Sequence, residues 1–431
     1  LEELYPELRD MARAGQAERA AVQQPTHLYG NLKDNILALS GGPDRSMLER
    51  HLVARDGGEL EVLADSEFYQ QMQKHLEEGH IYSTFQNYQQ MWDSLEGTGP
   101  VMPMLPFSVK QLVDTLGLSS VQGQISGVTI GDEGISSHGM LSAPAPRRGI
   151  LKAFEPEKHA TVRPPAFVGS DAALYGGLYF DVPTFWAEMK SAIQKLAPQM
   201  HSQLQMQIDS PQLPIHVEKD LINTLGARWY LYVPAQLLSS GQPRMLNLMA
   251  AVTVDESPTL EGTLQSLLNQ PPLRGKLTRS TFRGATIYQG PPLPLQKGAL
   301  RGGSSAGGNG PAQMQLCLTF VGDKLIIATS RGMAERAIDW SGRPASTLLK
   351  NKDFRRTLPG ILNRPQAFFY ADQRPLGKWI WQLLELFPQV QELSLPSYDV
   401  VSDYLYVSAS TAKWTDDGLQ MQSWSPYPEP E

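Results

Sequence analysis

The sequence predicts an α+β protein of two tandem related units, each a mainly antiparallel sheet with helices packed on one face. Three observations predict it. Strand-like runs meet through short turns, as in "QLCLTFVGDKLIIATS" (315–330) with Gly322–Asp323 at the bend and "TAKWTDDGLQMQSWS" (411–425) with Asp417–Gly418 at the bend. Between them lie stretches whose apolar residues recur at helical spacing. The chain also matches itself at a nearly fixed offset. "SMLERHL" (46–52) and "GMAERAI" (332–338) share Met-x-Glu-Arg, placing Met47, Glu49 and Arg50 each 286 residues before Met333, Glu335 and Arg336. Phe68 and Phe354 are 286 apart, Trp92 and Trp379 287, and Asp132–Gly134 precede Asp416–Gly418 by 284, as Pro144 does Pro428. Separate matches in one order with so little drift mark residues 28–146 and 316–430 as copies of one unit.

Element by element, "LEELYPELRDMA" (1–12) reads as an amphipathic helix with Leu1, Leu4, Tyr5, Leu8 and Met11 on one face. "TFQNYQQMWDSL" (84–95) reads as a helix with an aromatic stripe of Phe85, Tyr88, Trp92 and Leu95. "FDVPTFWAEMKSAIQKLA" (180–197) has Pro183 near a helix start and Phe185, Met189, Ile193 and Leu196 at helical spacing. "VEKDLINTLGA" (217–227) predicts a short helix stopped by Gly226. "RWYLYVP" (228–234), "LNLMAAVTV" (246–254) and "FRGATIYQG" (282–290) predict strands. After the first hairpin, "RGMAERAIDW" predicts a helix, "NKDFRRTL" (351–358) a helix capped by Asn351, and "AFFYADQ" (367–373) a strand. "LGKWIWQLLELF" (376–387) predicts a helix turning Leu376, Trp379, Ile380, Leu383, Leu384 and Phe387 inward.

These elements set the expected organisation: residues 1–146 as a first unit incomplete at its N-terminus, 147–165 as a Pro-rich linker, and 166–431 as a complete second unit. Laying Leu1–Glu2 on Leu260–Glu261 leaves the first unit short of roughly 110 residues. "KGALRGGSSAGGNGPAQ" (297–313) reads as a flexible loop.

Composition excludes several classes. Net charge is −7 and no basic stripe tracks a phosphate backbone, so nucleic acid is not an expected partner. The single cysteine, Cys317, excludes an internal disulfide and a cysteine zinc site. No run approaches the ~20 apolar residues of a membrane span. A peripheral or lipid-anchored attachment through an absent N-terminal segment stays open.

No motif carries chemistry. Ser410–Lys413 fits Ser-x-x-Lys but falls on an expected strand without its Ser-Asp-Asn and Lys-Thr-Gly partners. His216-x-Glu218 lacks the Pro-Cys-x-x-Cys of zinc deaminases. "GGSSAGGNG" (302–310) lacks the Gly-Lys-[Ser/Thr] of a phosphate loop. The acidic turns Asp132–Glu133 and Asp416–Asp417 supply too few oxygens for calcium. No catalytic residue, cofactor or metal is expected. Trp379 and Trp381 lie about 200° apart on the helical wheel, so both cannot face one core. Together with Trp92 and Tyr88 they are the candidate partner contacts.

A hairpin ending in Gly322–Ser330, then Asn351–Phe354, Phe369–Asp372 and Asp416–Leu419, resembles a family of exported bacterial envelope proteins of unknown function built from tandem α+β repeats. The first copy departs from that pattern, since "KDNILALSGG" (33–42) has no Gly-Asp turn. The resemblance implies a periplasmic, outer-envelope or extracellular location, with the cytoplasm as the alternative, and no enzymatic activity. The expected role is a non-catalytic scaffold or binding subunit contacting other protein subunits or copies of itself. A carrier of a small apolar ligand such as a lipid is the second reading. A hydrolase whose site is invisible in the sequence is the third.

Overall fold

The computed structural model describes residues 27–33, 36–42, 63–96, 107–155, 162–211, 213–239, 245–270, 275–294, 313–342, 347–384 and 396–428. Met47, Glu49 and Arg50, the helix at 1–12 and most of the Gly/Ser loop lie outside them. The chain divides into two compact units, Leu1–Gln71 and Met72–Glu431. In the first, β1 (His27–Lys33) and β2 (Ile36–Gly42) form an antiparallel hairpin. A helix, α1 (Glu67–Gln73), follows a Ser66 whose hydroxyl accepts the N–H of Tyr69 at 3.4 Å.

The second unit holds one 13-stranded sheet. Its elements in chain order are β3 (Tyr82–Asn87), α2 (Tyr88–Ser94), α3 (Val109–Thr115), β4 (Gly123–Ile130), β5 (Gly134–Ser142), β6 (Ala172–Tyr179), α4 (Val182–Leu196), α5 (Pro198–Ile208), β7 (Leu225–Pro234), β8 (Met249–Val254), α6 (Ser257–Leu268), β9 (Thr278–Phe282) and β10 (Ala285–Gln289). There follow the two-residue strands β11 (Leu293–Pro294) and β12 (Gln313–Met314), which pair apart from the main sheet. Then come β13 (Cys317–Val321), β14 (Lys324–Ala328), α7 (Arg331–Ser341), α8 (Lys352–Thr357), β15 (Ala367–Asp372), α9 (Gln373–Leu384), α10 (Tyr398–Ser402), β16 (Val407–Trp414) and β17 (Gly418–Pro426). The order across the sheet is β3-β4-β5-β17-β16-β15-β6-β7-β8-β14-β13-β10-β9. Every neighbouring pair is antiparallel.

Local chemistry explains the element ends. Asp181 accepts the N–H of Thr184 (3.0 Å) to open α4, and Ser330 that of Met333 (3.3 Å) to open α7. Asn351 caps α8 through Phe354 N–H at 2.8 Å, and Ser108 with Gln111 forms a capping box on α3. The core lies between the sheet and the α7–α8 layer. Tyr175, Tyr232, Tyr370, Phe354, Met249, Ile287, Ile326 and Leu348 are fully buried there with Met333, Ala334 and Ala337 of α7. A second cluster joins Leu260 of α6 to Val252, Val254, Leu325 and Ile327. Because side chains alternate along β14, Leu325 and Ile327 face away from Ile326. The sequence placed helices on one face; around β14 α6 adds a layer on the other.

Two three-stranded meanders, β3-β4-β5 and β15-β16-β17, share hydrogen bonds at matching positions. Ile81 N–H donates to Val128 O (2.8 Å) as Gln366 does to Ala412 (2.9 Å). Tyr88 N–H donates to Gln122 O (2.9 Å) as Gln373 does to Tyr406 (3.0 Å), and Gly131 to Gly134 (2.9 Å) as Thr415 does to Gly418 (2.8 Å). The offsets are 284–285 residues throughout. The meanders join through β5 and β17, where Gly134 faces Pro426, His138 faces Gln422 and Ser142 faces Gly418. At one end Ala143 N–H donates to Asp417 O (3.1 Å); at the other Tyr427 N–H donates to Glu133 O (3.0 Å). The seam therefore reads the same in both directions about the His138–Gln422 pair.

Several sequence expectations change. Residues 84–87 are strand, and the helix starts only at Tyr88 because Asn87 accepts Gln90 N–H. Phe85 thus sits on β3. Gly226 lies inside β7, not at a helix stop, since β7 starts at Leu225 after two irregular turns. The run 282–290 is a hairpin turn plus a strand: Arg283 and Gly284 both take positive φ between β9 and β10. The expected linker holds packed structure. Leu151 and Ala153 are buried in a 3-10 segment, Gly149–Phe154, and Arg147 is only 4% exposed. The division at Gln71/Met72 differs from the expected boundary at 146/147, and the sheet runs across that boundary. Ile380, expected inward, is 49% exposed, while Leu383, Leu384 and Phe387 lie where no side chain is described.

Burial pushes the phenols of Tyr175, Tyr230, Tyr232 and Tyr370 well above the usual tyrosine range, and the Cys317 thiol up to about 11. Asp171 adds to the shift at Tyr232. The folded state holds these groups neutral, so their contribution is complete below the unfolded pKa values, ~9 for the thiol and ~10 for phenols, and is lost as pH rises past them. Alkaline titration should show these phenols ionising only together with loss of the circular-dichroism signal. Reversible ionisation of all tyrosines near pH ~10 in folded protein would contradict this burial.

Candidate functional site

A cleft of about 640 Å³ opens beside the β5–β17 seam. Its walls come from the β4–β5 turn (Asp132, Glu133), the end of β17 and beyond (Trp424, Pro426, Tyr427, Pro428), and the turn after α8 (Arg356, Pro359, Gly360). Glycines shape it. A Cβ on Gly360 would lie 2.3 Å from Trp424 Cγ, and one on Gly134 3.0 Å from the far edge of the same ring. The indole is held between two backbones that carry no side chains. Tyr427 packs edge-on against Tyr406 at 6.3 Å. Arg356 donates to the carbonyl of Tyr427 and approaches Asp353 at 3.9 Å, so this cation is turned onto its own chain. The lining offers aromatic and proline surface with two rim carboxylates and no hydroxyl nucleophile paired with a base. It can bind apolar or aromatic groups.

The four candidate contact residues fall on separate meanders. Tyr88 and Trp92 stack at 6.1 Å on α2. Trp92 Nε1 donates to Val121 O at 2.9 Å, and Tyr88 donates to Gln86 Oε1 at 2.6 Å while packing on Val121, Ala143 and Leu151. Both are half-buried and tie α2 to its own sheet. Trp379 and Trp381 are also half-buried, on opposite flanks of the exposed Ile380. Gly377 lets α9 approach the segment after α10, since a Cβ there would meet Leu405 Cδ1 at 2.5 Å. The Tyr398 hydroxyl donates to Arg374 O across the same contact. Val400 (54% exposed) on α10 and Tyr404 (69%) just after it are exposed apolar residues too. Sequence reasoning missed Ile380, Val400 and Tyr404, and also Trp424 and Tyr427. For the last two the signal "SWSPYP" (423–428) was present, because prolines flanking aromatics cannot continue a strand.

Polar clusters elsewhere pair within the fold, although the buried Arg147 Nε has no hydrogen-bond partner. Arg147 pairs with Glu155 at 3.0 Å, donates to Thr415 O and lies 4.2 Å over the Trp414 ring. Arg336 pairs with Asp171 at 2.6 Å and covers Trp340 at 4.0 Å, while Tyr232 donates to the same carboxylate at 2.6 Å. Arg374 bridges Asp372 and Asp353. His138 Nε2 (3.1 Å) and Ser136 Oγ (3.0 Å) both meet Glu77 Oε2, so the carboxylate is shared and the serine and histidine are not arranged as nucleophile and base. Ser410–Lys413 lies on β16, as the sequence indicated. Among the described residues no three His, Cys, Asp or Glu side chains group as metal ligands, and no helix is long and apolar enough to cross a membrane.

No protein-family model and no curated protein matches the chain. A solved structure, crystal form I of TP0453, shows similarity at a TM-score of 0.23 and 11% identity, over 62% of this chain and 94% of that one. A likeness this slight carries no argument.

Proposed function

We propose that this protein is a non-catalytic scaffold or binding subunit of an exported bacterial assembly. The observation that carries the reading is the apolar surface of α9 and α10. Ile380 stands exposed between two half-buried tryptophans on α9, and Val400 and Tyr404 stand exposed on and just after α10. The two elements meet at Gly377 and Leu405, and exposed apolar groups on packed elements mark protein contacts. The export part of the proposal rests on the family resemblance at Gly322–Ser330, Asn351–Phe354, Phe369–Asp372 and Asp416–Leu419.

A photo-cross-linking residue at position 380, in the chain produced in a bacterial envelope, should give one adduct of defined mass. Tyr404→Asp should reduce that adduct about tenfold by putting a charge into the contact. No discrete adduct, or one indifferent to Tyr404→Asp, overturns the reading. The carrier reading has the Trp424–Tyr427 cleft as its support. A stoichiometric small apolar molecule in the purified protein, with no adduct, would favour it instead.

A further inference from the structure

Around α7 and α8 the acids are matched, but some cations are not. Asp171 pairs with Arg336, Glu335 with Arg331, Asp339 with Arg283, and Asp353 with Arg374 and Arg356. Residues 347–365 carry five cations, Lys350, Lys352, Arg355, Arg356 and Arg364, against the single acid Asp353, in a chain whose net charge is −7. Among the described residues no carboxylate pairs with Lys350, Arg355 or Arg364, and all three are exposed.

Local structure sets these cations beside exposed leucines. In the 3-10 segment Leu348–Lys350, Leu348 is fully buried while Leu349 (49%) and Lys350 stand out. In α8, Phe354 and Thr357 are fully buried, and the solvent side carries Arg355 and, three residues on, Leu358 (38%). Hydrogen bonds hold this backbone in place. Leu348 N–H donates to Val168 O (3.0 Å), Asn351 Nδ2 to Ser170 O (2.6 Å), and Val162 N–H to Pro365 O (3.0 Å) beside Arg364. Leucines and cations thus share a surface that the core keeps rigid.

We infer that this face of α8 docks on the surface of an anionic lipid bilayer. Leu349 and Leu358 enter the headgroup region, and Lys350, Arg355 and Arg364 meet lipid phosphates. Charge complementarity argues for the anion, because a local excess of cations in an acidic chain creates an attraction that the net charge does not supply. The leucines argue for a bilayer over a soluble acidic protein. Cations interleaved with exposed apolar side chains fit a headgroup boundary, where both find their solvent. Each cation near an anionic surface strengthens partitioning roughly fivefold, so docking is reversible. The inference does not rest on the scaffold reading, since its readout is lipid and not an adduct at position 380.

The test is co-sedimentation of the full chain with vesicles containing phosphatidylglycerol, against vesicles of phosphatidylcholine alone. Binding should be confined to the anionic vesicles and should fall as salt rises from about 0.1 M to about 0.5 M. Lys350→Gln with Arg355→Gln should weaken it about tenfold or more. Removing the same charge at the end of the sheet, with Lys276→Gln and Arg279→Gln, should change it by less than about twofold. Leu349→Ser with Leu358→Ser should weaken it about fivefold without altering its salt dependence. All six positions are exposed, and circular dichroism of each variant checks that the fold is kept. The inference is overturned by no binding to anionic vesicles, by equal binding to both vesicle types, or by equal loss with the control pair. Indifference to the serine pair also overturns it, and would mark a soluble acidic protein as the partner.

Discussion

Replacing Phe354 with alanine is expected to lower stability by about 3–5 kcal/mol, the largest loss for any single truncation in this core. Phe354 is fully buried in α8. Its ring meets Phe368 at 5.7 Å and Tyr370 at 5.2 Å, and Phe368 reaches Tyr175 at 5.9 Å. The cluster joins α8 to β15 and to its sheet neighbour β6. Truncation opens a cavity among rigid rings whose backbones are fixed by sheet hydrogen bonds, so little collapse can fill it. Phe369, one residue along β15 from Phe368, is the internal control. It is 48% exposed on the other face, and Phe369→Ala should cost under ~1.5 kcal/mol. Denaturant titration of both variants checks this. Equal losses would mean that the alternation along β15 is misassigned.

Much of this was legible in the sequence, for reasons that differ by element. The β13–β14 and β16–β17 hairpins carry Gly-containing turns between apolar runs, and α4 and α8 announce themselves through Pro183 and Asn351. Those signals are local and survive folding unchanged. The α2 helix was overextended because Phe85, Tyr88 and Trp92 fit a helical stripe; the strand pairing of Thr84 with Ser126 and of Phe85 with Ile125 overrides that local pattern. Residues 147–155 read as linker because prolines and glycines dominate nearby. In the fold, Gly117 and Gly149 cross so closely that a Cβ on either would lie 2.3 Å or less from the other's neighbouring carbonyl oxygen. Their glycines mark a tight backbone crossing, not looseness, and periodicity carries no trace of that.

The candidate site was half legible. Trp379 and Trp381, singled out in the sequence because they cannot both face one core, are both half-buried. Which side chain between them would stand exposed depends on where α10 packs, a contact made by Tyr398 and Leu405 some 20 residues on. The Trp424–Tyr427 cleft needs Gly360 and Gly134 brought to the near and far ends of one indole, and no spacing rule encodes that meeting.

The seam between β5 and β17 joins the two meanders. His138 and Gln422 face each other there, flanked by hydrogen-bonded pairs at Ala143–Asp417 and Glu133–Tyr427. Counting alternately inward makes His138–Gln422 a non-hydrogen-bonded pair, whose Cα atoms lie about 4.5 Å apart, within disulfide reach. The measurement is therefore oxidation of the double variant His138→Cys, Gln422→Cys, with the buried native Cys317 left in place. The predicted result is near-complete intramolecular bridging in the monomer, with a chain-entropy stabilisation of about 5–6 kcal/mol for a loop of this length. The off-register pair His138→Cys, Ser423→Cys should not bridge, because it points to opposite faces. Failure of the first pair to bridge, or equal bridging of both, would contradict the seam and with it the correspondence of the two meanders.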